Sequence, residues 1–131
     1  MEREEVLYKL AVFEKQMQQF QQQLQLIEQG LNDLTVLDSE IDNLRGKKDQ
    51  EILAPVNSGI FVKAKLLSED LIVDIGGKNF VKKSIDETKS TIKEQIQKLE
   101  EVKAQLTNSL EDINKEATEI LMKIEEDSKA H

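Results

Sequence analysis

Apolar residues in the first 45 positions recur at alternating spacings of three and four. Val6, Phe13, Phe20, Ile27, Leu34 and Ile41 are spaced by seven, and so are Leu10, Met17, Leu24 and Leu31. A heptad with both seam positions filled over several repeats predicts one long coiled-coil helix, residues 1–45. Gln16, Gln18, Gln19, Gln21, Gln22, Gln23 and Gln25 lie between the seam residues and read as a solvated helix face rather than a disordered tract. Two positions break the pattern. Gly30 costs roughly 1 kcal/mol relative to Ala inside a helix. Asp38 stands where the seam expects an apolar residue, and Leu37 is expected to rotate in for it with a slight change of pitch.

A second periodic segment closes the chain. Ile85, Ile92, Leu99, Leu106, Ile113 and Ile120 are spaced by seven, as are Ile96, Leu110, Ala117 and Ile124, with Lys103 a polar exception in the second series. This predicts a second helical arm over 84–131. Ser84 followed by Glu87 at its start reads as a capping box.

Between the arms the period changes. Arg45-Gly46-Lys47-Lys48 is a helix stop, and residues 46–83 hold four of the five glycines and the only proline. Pro55 belongs at a strand start or edge, and Asn57-Ser58-Gly59 is turn chemistry. Ile60–Lys65 alternates as a strand, Leu71–Ile75 is a second, and Gly76-Gly77-Lys78-Asn79 turns the chain into a short Phe80-Val81-Lys82. One or two β-hairpins result.

Neither seam can be buried alone. The arms enter and leave the β region at similar heights, so residues whose numbers sum to about 130 should face each other in an antiparallel hairpin. In that register Val6 meets Ile124, Phe13 meets Ala117, Leu24 meets Leu106 and Leu34 meets Ile96. At ~1.5 Å per residue each arm should reach roughly 60–65 Å. The fold class is α+β: two long helices form an antiparallel coiled-coil hairpin joined by a small β-hairpin body. Strands with open edges and an apolar face are marginal alone, so that body should assemble with other subunits into a β-barrel.

Composition narrows the function. The 131 residues are 38% hydrophobic, 34% charged and 4% aromatic, a balance suited to narrow helix seams rather than a thick core. Of the net −8, residues 1–45 contribute −5 (4 basic, 9 acidic), residues 46–83 +2 (7 and 5) and residues 84–131 −5 (7 and 12). Acidic arms disfavour nucleic acid as a partner. Absence of cysteine suits a reducing cytosol, and no apolar run or N-terminal pattern suggests a membrane span or signal peptide. A cytoplasmic protein without membrane partners is expected. The sole histidine, His131, reads as a frayed terminus. No catalytic constellation is present, Gly76-Gly77-Lys78 lacks the spacing and hydroxyl of a phosphate-binding loop, and neither an enzyme nor a cofactor or metal is expected.

Near the free ends apolar residues spill out of the seam: Leu7, Tyr8, Ala11 and Val12 on one arm, Leu121 and Met122 on the other, at the same height. Two readings are open. They pack around the helix ends, or they form an exposed patch that binds other chains. Flexible Met and Leu beside Tyr suit a promiscuous binder.

The middle stretch carries a resemblance. Ile52-Leu53-Ala54-Pro55-Val56-Asn57-Ser58-Gly59-Ile60-Phe61-Val62-Lys63-Ala64, followed by Leu71-Ile72-Val73-Asp74-Ile75-Gly76-Gly77-Lys78-Asn79-Phe80-Val81-Lys82-Lys83, resembles the signature of α-type prefoldin subunits. Ala54 stands where that family commonly has valine, and Asn57-Ser58 replaces a more glycine-rich turn. The resemblance covers the whole chain as a single domain, 1–131, and the short C-terminus leans to the archaeal type. It implies two β-hairpins, and a hexamer of two α-type and four β-type subunits with a barrel body and six coiled coils. It also implies capture of unfolded client proteins at the coiled-coil tips, without nucleotide, and delivery to a group II chaperonin. The tip positions are then Leu7, Tyr8, Leu10, Ala11, Val12, Phe13, Ile120, Leu121, Met122 and Ile124. The assembly positions are Ile60, Phe61, Val62, Leu71, Val73, Ile75, Phe80 and Val81. The alternative is a structural or adaptor coiled coil, or a filament-forming scaffold.

Overall fold

A computed structural model describes residues 2–129, and side chains up to residue 128; His131 lies outside the described residues. Six elements follow in order: α1 (Arg3–Asp42), β1 (Glu51–Asn57), β2 (Ile60–Lys65), β3 (Leu71–Asp74), β4 (Phe80–Lys83) and α2 (Ile85–Lys129). The chain divides into two compact units, one taking residues up to Leu31 and from Lys98 on, the other Asn32–Gln97.

In the first unit the helices carry chiefly their seams inward. Val6 is buried, and Leu10, Phe13, Met17, Phe20, Leu24, Ile27 and Leu31 are half-buried, as are Leu99, Leu106, Leu110, Ile113, Ala117, Ile120 and Ile124. Contacts fix the register. A Cβ on Gly30 would sit 3.5 Å from Leu99 Cδ1, and the Lys103 ammonium lies 3.7 Å from Glu28 Oε1. Both pairs have numbers summing to about 130, which is the antiparallel register that matches the two heptads. Lys103 therefore keeps its place in the seam by reaching sideways to a carboxylate.

The second unit holds the hairpins and the roots of both helices. Ile41, Ile85 and Ile92 form its buried core, with Leu34, Leu44, Leu71 and Ile96 packed against it. Leu71 thus ties the second hairpin to the helix roots. α1 ends at Asp42, three residues before the expected stop. The N–H groups of Asn43, Leu44 and Arg45 donate to the carbonyls three residues back, tightening the chain into Gly46, whose φ of 71° is left-handed. The Gly46 N–H donates to Glu69 at 2.5 Å. At the start of α2 the Glu87 N–H donates to Ser84 Oγ at 3.1 Å. Only this half of the capping box forms among the described residues; Thr88 instead bonds the Ser84 carbonyl through its own hydroxyl, 2.8 Å.

A polar layer interrupts the seam of this unit. The Lys89 ammonium lies 3.5 Å from Asp38 Oδ2 and donates to Asp42. Arg45 bonds Asp42 at 2.9 Å and Asp86 of the other helix at 2.5 Å. Leu37 does not rotate in for Asp38. It stays exposed, because the Asp38 carboxylate has a cation opposite it. Asp38 Oδ1 is buried without a hydrogen-bond partner among the described residues. Hydrogen bonds from Lys89 and then Arg45 hold the Asp42 carboxyl below its ordinary range. The Asp42 carboxylate in turn raises Lys89 and, with Asp86, Arg45.

The strands form two separate antiparallel hairpins, β1 with β2 and β3 with β4. In the first, Ser58 (φ 51°) and Gly59 (φ 80°) are both left-handed, the requirement of a two-residue turn that matches strand twist. Pro55 sits inside β1, opposite Phe61, and β1 is an edge strand, the second of the two places open to it. The pairing shifts by one residue between Pro55 and Asn57, so the residue without an N–H borders a bulge. In the second hairpin the Gly76 N–H donates to Asp74 Oδ1 at 2.8 Å, and Gly76, Gly77 and Lys78 are all left-handed.

Candidate functional site

The free end of the helical unit is where its apolar residues leave the seam. Val6 anchors the seam end. Beside it Leu7 is 57% exposed, Tyr8 72%, Leu121 51% and Met122 60%. Ala11 is exposed, while Leu10, Val12, Phe13, Ile120 and Ile124 are half-buried. Tyr8, Val12, Phe13 and Ile120, with Lys9, Lys123, Glu116 and Glu119, enclose a groove of about 390 Å³.

Two flanks exist here, not one continuous patch. Val12, Glu119, Lys9, Glu116 and Lys123 each directly precede a seam residue, and all five line the groove. Leu7, Ala11 and Leu121 directly follow one, which at about 100° per residue turns them to the opposite side. Met122 does not line the groove either. The structure therefore gathers four of the ten sequence-identified tip residues into one concavity and leaves Leu7 and Leu121 on the other flank. Heptad spacing identifies the seam but is silent on which side of it a neighbour falls. Leu26 and Val102, further along the same unit, are also exposed outside the seam.

The hairpins present the second apolar surface. Ile60, Phe61, Val62, Ile75 and Phe80 are largely exposed. Val73 and Val81 are half-buried and face each other across the second hairpin. Leu71 is spent on the internal core. Leu53, Val56 and Ile72, absent from the sequence-derived set, are as exposed as the rest. Cross-strand geometry could have found two of them. Leu53 shares a face with Pro55 and so with its partner Phe61, and Ile72 shares one with Asp74 and so with Phe80.

Among the described residues no cluster of His, Cys, Asp or Glu is arranged to hold a metal ion, and no helix is long and apolar enough to cross a membrane.

Paired heptad helices with exposed apolar ends, together with hairpins with open edges, define a coiled-coil protein built to assemble. The family model described as Prefoldin subunit matches residues 13–130. Prefoldin subunit alpha of Methanobrevibacter smithii is 34% identical over 98 residues, 74% of this chain and 67% of that one. Its counterpart from Methanococcus aeolicus is 33% identical over 124 residues, 93% and 74%. A chain in the cryo-EM structure of filamentous PFD from Methanocaldococcus jannaschii superposes with a TM-score of 0.77 at 14% identity, covering 88% of this chain and 97% of that one, a likeness of fold. The chain belongs to the prefoldin family and is of the α type. Membership supports a chaperone-type function and implies assembly with other prefoldin subunits.

Proposed function

We propose that the chain is one subunit of an ATP-independent holdase of the cytoplasm. It captures unfolded proteins at the ends of its paired helices and passes them to a group II chaperonin. Its hairpins join β-type subunits in a hexamer of two copies of this chain and four partners, closing a β-barrel. The observation that carries this reading is the exposure of Leu7, Tyr8, Leu121 and Met122 at the helix ends, where Tyr8 also borders a groove with an apolar floor on one flank of the seam. Soluble proteins rarely leave such clusters uncovered without a binding use. Several weak ends around one cavity retain a client by avidity, so each can be feeble and still hold it. Open strand edges and exposed Phe61, Ile72 and Phe80 support the assembly half of the reading.

Replacing Leu7, Tyr8, Val12, Leu121 and Met122 by serine should abolish suppression of client aggregation while the complex still assembles. Undiminished protection by that variant, fully assembled, would sink the reading. Filament formation is the second reading, favoured by the fold shared with a filamentous relative. Light scattering on the chain alone and mixed with a β-type subunit separates the two: a mass of two copies plus four partners supports the hexamer, open-ended growth the filament.

A further inference from the structure

We propose that the groove at the helix ends is polarised by charge and selects apolar client segments with an acidic residue at one end and a basic residue at the other. The proposal rests on the holdase reading and adds the chemistry of the segment.

The groove has a mixed rim over an apolar floor. Val12, Phe13 and Ile120 supply the floor, Tyr8 an aromatic wall, and Lys9, Lys123, Glu116 and Glu119 the charges. Their order along the axis follows from the antiparallel register. Lys123 lies level with residue 7, beside Tyr8 and Lys9, so both cations sit toward the helix ends. Glu119 and Glu116 lie level with residues 11 and 14, so both carboxylates sit further in. Seven residues of helix separate the outermost cation from the innermost carboxylate, about 10 Å. About three residues of extended chain span that distance.

None of the four charges is held in an ion pair among the described residues. They are available to a ligand. The cavity volume is at the low end for ligand sites and admits a few side chains. A segment with its acidic residue against Lys9 and Lys123, two or three apolar residues on the floor and its basic residue against Glu116 and Glu119 satisfies every group that lines the groove. A segment with like charges at both ends meets repulsion at one of them. The net charge of −8 works differently, attracting doubly basic segments to the whole chain. A preference for mixed ends is therefore a local signature.

The test uses the full-length chain in its assembled complex and four labelled peptides sharing one apolar centre. Their ends carry Asp and Lys, two Asp, two Lys, or two Ser, and binding is followed by fluorescence anisotropy. The mixed peptide should bind tightest, about threefold to tenfold above the like-charged pair at low salt, and lose its advantage at high salt. Lys9→Ser with Lys123→Ser should move the preference to the two-Lys peptide. Glu116→Gln with Glu119→Gln should move it to the two-Asp peptide. Neither double variant should change binding of the two-Ser peptide.

Tightest binding of the two-Lys peptide by the unmodified complex, equal binding of all four, no binding of any, or no response to the double variants would each overturn the proposal. Aggregation suppression is measured in parallel. If clients are protected but the peptides show no charge preference, only the groove proposal falls; if no client is protected, the holdase reading falls instead.

Discussion

The ammonium of Lys89 lies 3.5 Å from the carboxylate of Asp38 on the facing helix. Each residue occupies a seam position, Asp38 continuing the series of Leu24 and Leu31, Lys89 opening that of Ile96 and Lys103. Together they make a polar layer at the helix roots, where the only other polar seam residue among the described heptad positions, Lys103, lies two heptads further along. A slip of one heptad would keep most seam positions apolar but separate Asp38 from Lys89 and set each beside leucines or isoleucines. The layer therefore specifies the register.

Lys89→Leu leaves Asp38 without its cation and Asp42 with Arg45 alone, and should lower Tm. The double variant Asp38→Leu/Lys89→Leu should recover Tm fully or exceed the starting value, while losing the unique register. Spin labels at exposed Asn32 and Gln97 check this. Their distance distribution should be narrow in the unmodified chain and broad or doubled in the double variant.

The same layer gives stability a defined pH window. Asp42 is shifted down in the folded chain, so its contribution is present above the unfolded carboxylate value of about 4 and fades as pH falls through the lower folded value. Lys89 is shifted up, so its contribution is full below about 10.4 and fades as pH rises through the higher folded value. The Tm difference between the unmodified chain and Lys89→Met should be flat between those limits and shrink outside them.

Gly30 is a helical glycine with no left-handed requirement, and an added methyl would meet Leu99 at an ordinary 3.5 Å. Gly30→Ala should stabilise the chain by roughly 1 kcal/mol. Thermal unfolding followed by circular dichroism reads the shift.

Ile92 is 4% exposed and sits in the small core at the helix roots. Ile92→Ala should cost about 2–5 kcal/mol, toward the low end because the surrounding residues are only half-buried and can close in. Urea unfolding measures it. Because Leu71 packs on the same core, the second hairpin should lose protection in hydrogen exchange along with the helix roots.

Much of this fold could be read from the chain. Heptads at Val6–Ile41 and Ile85–Ile120 fixed two helices and their pairing, and Ser58-Gly59 and Gly76-Gly77 placed the hairpin turns. Asp38 looked like a flaw because a seam pattern scores one helix at a time, and its cation is 51 positions away. The end of α1 at Asp42 escaped because Leu44 and Arg45 belong to tight turns whose composition is still helical. At the tip the residue types were legible but not their division between flanks. That division depends on which neighbour of Phe13 or Ile120 turns toward the partner helix. Leu53 and Ile72 became visible only once each strand had a partner.

Each of the four strands has a ladder partner on one side only. Every copy made in excess of its partners therefore carries unpaired strand edges flanked by Phe61, Ile72 and Phe80, the same kind of surface that marks an unfolded chain. An orphan copy is then a substrate for the quality-control machinery it is proposed to serve. Its synthesis has to be matched to that of its partners, and dosage imbalance should show as aggregation or turnover of whichever subunit is in surplus.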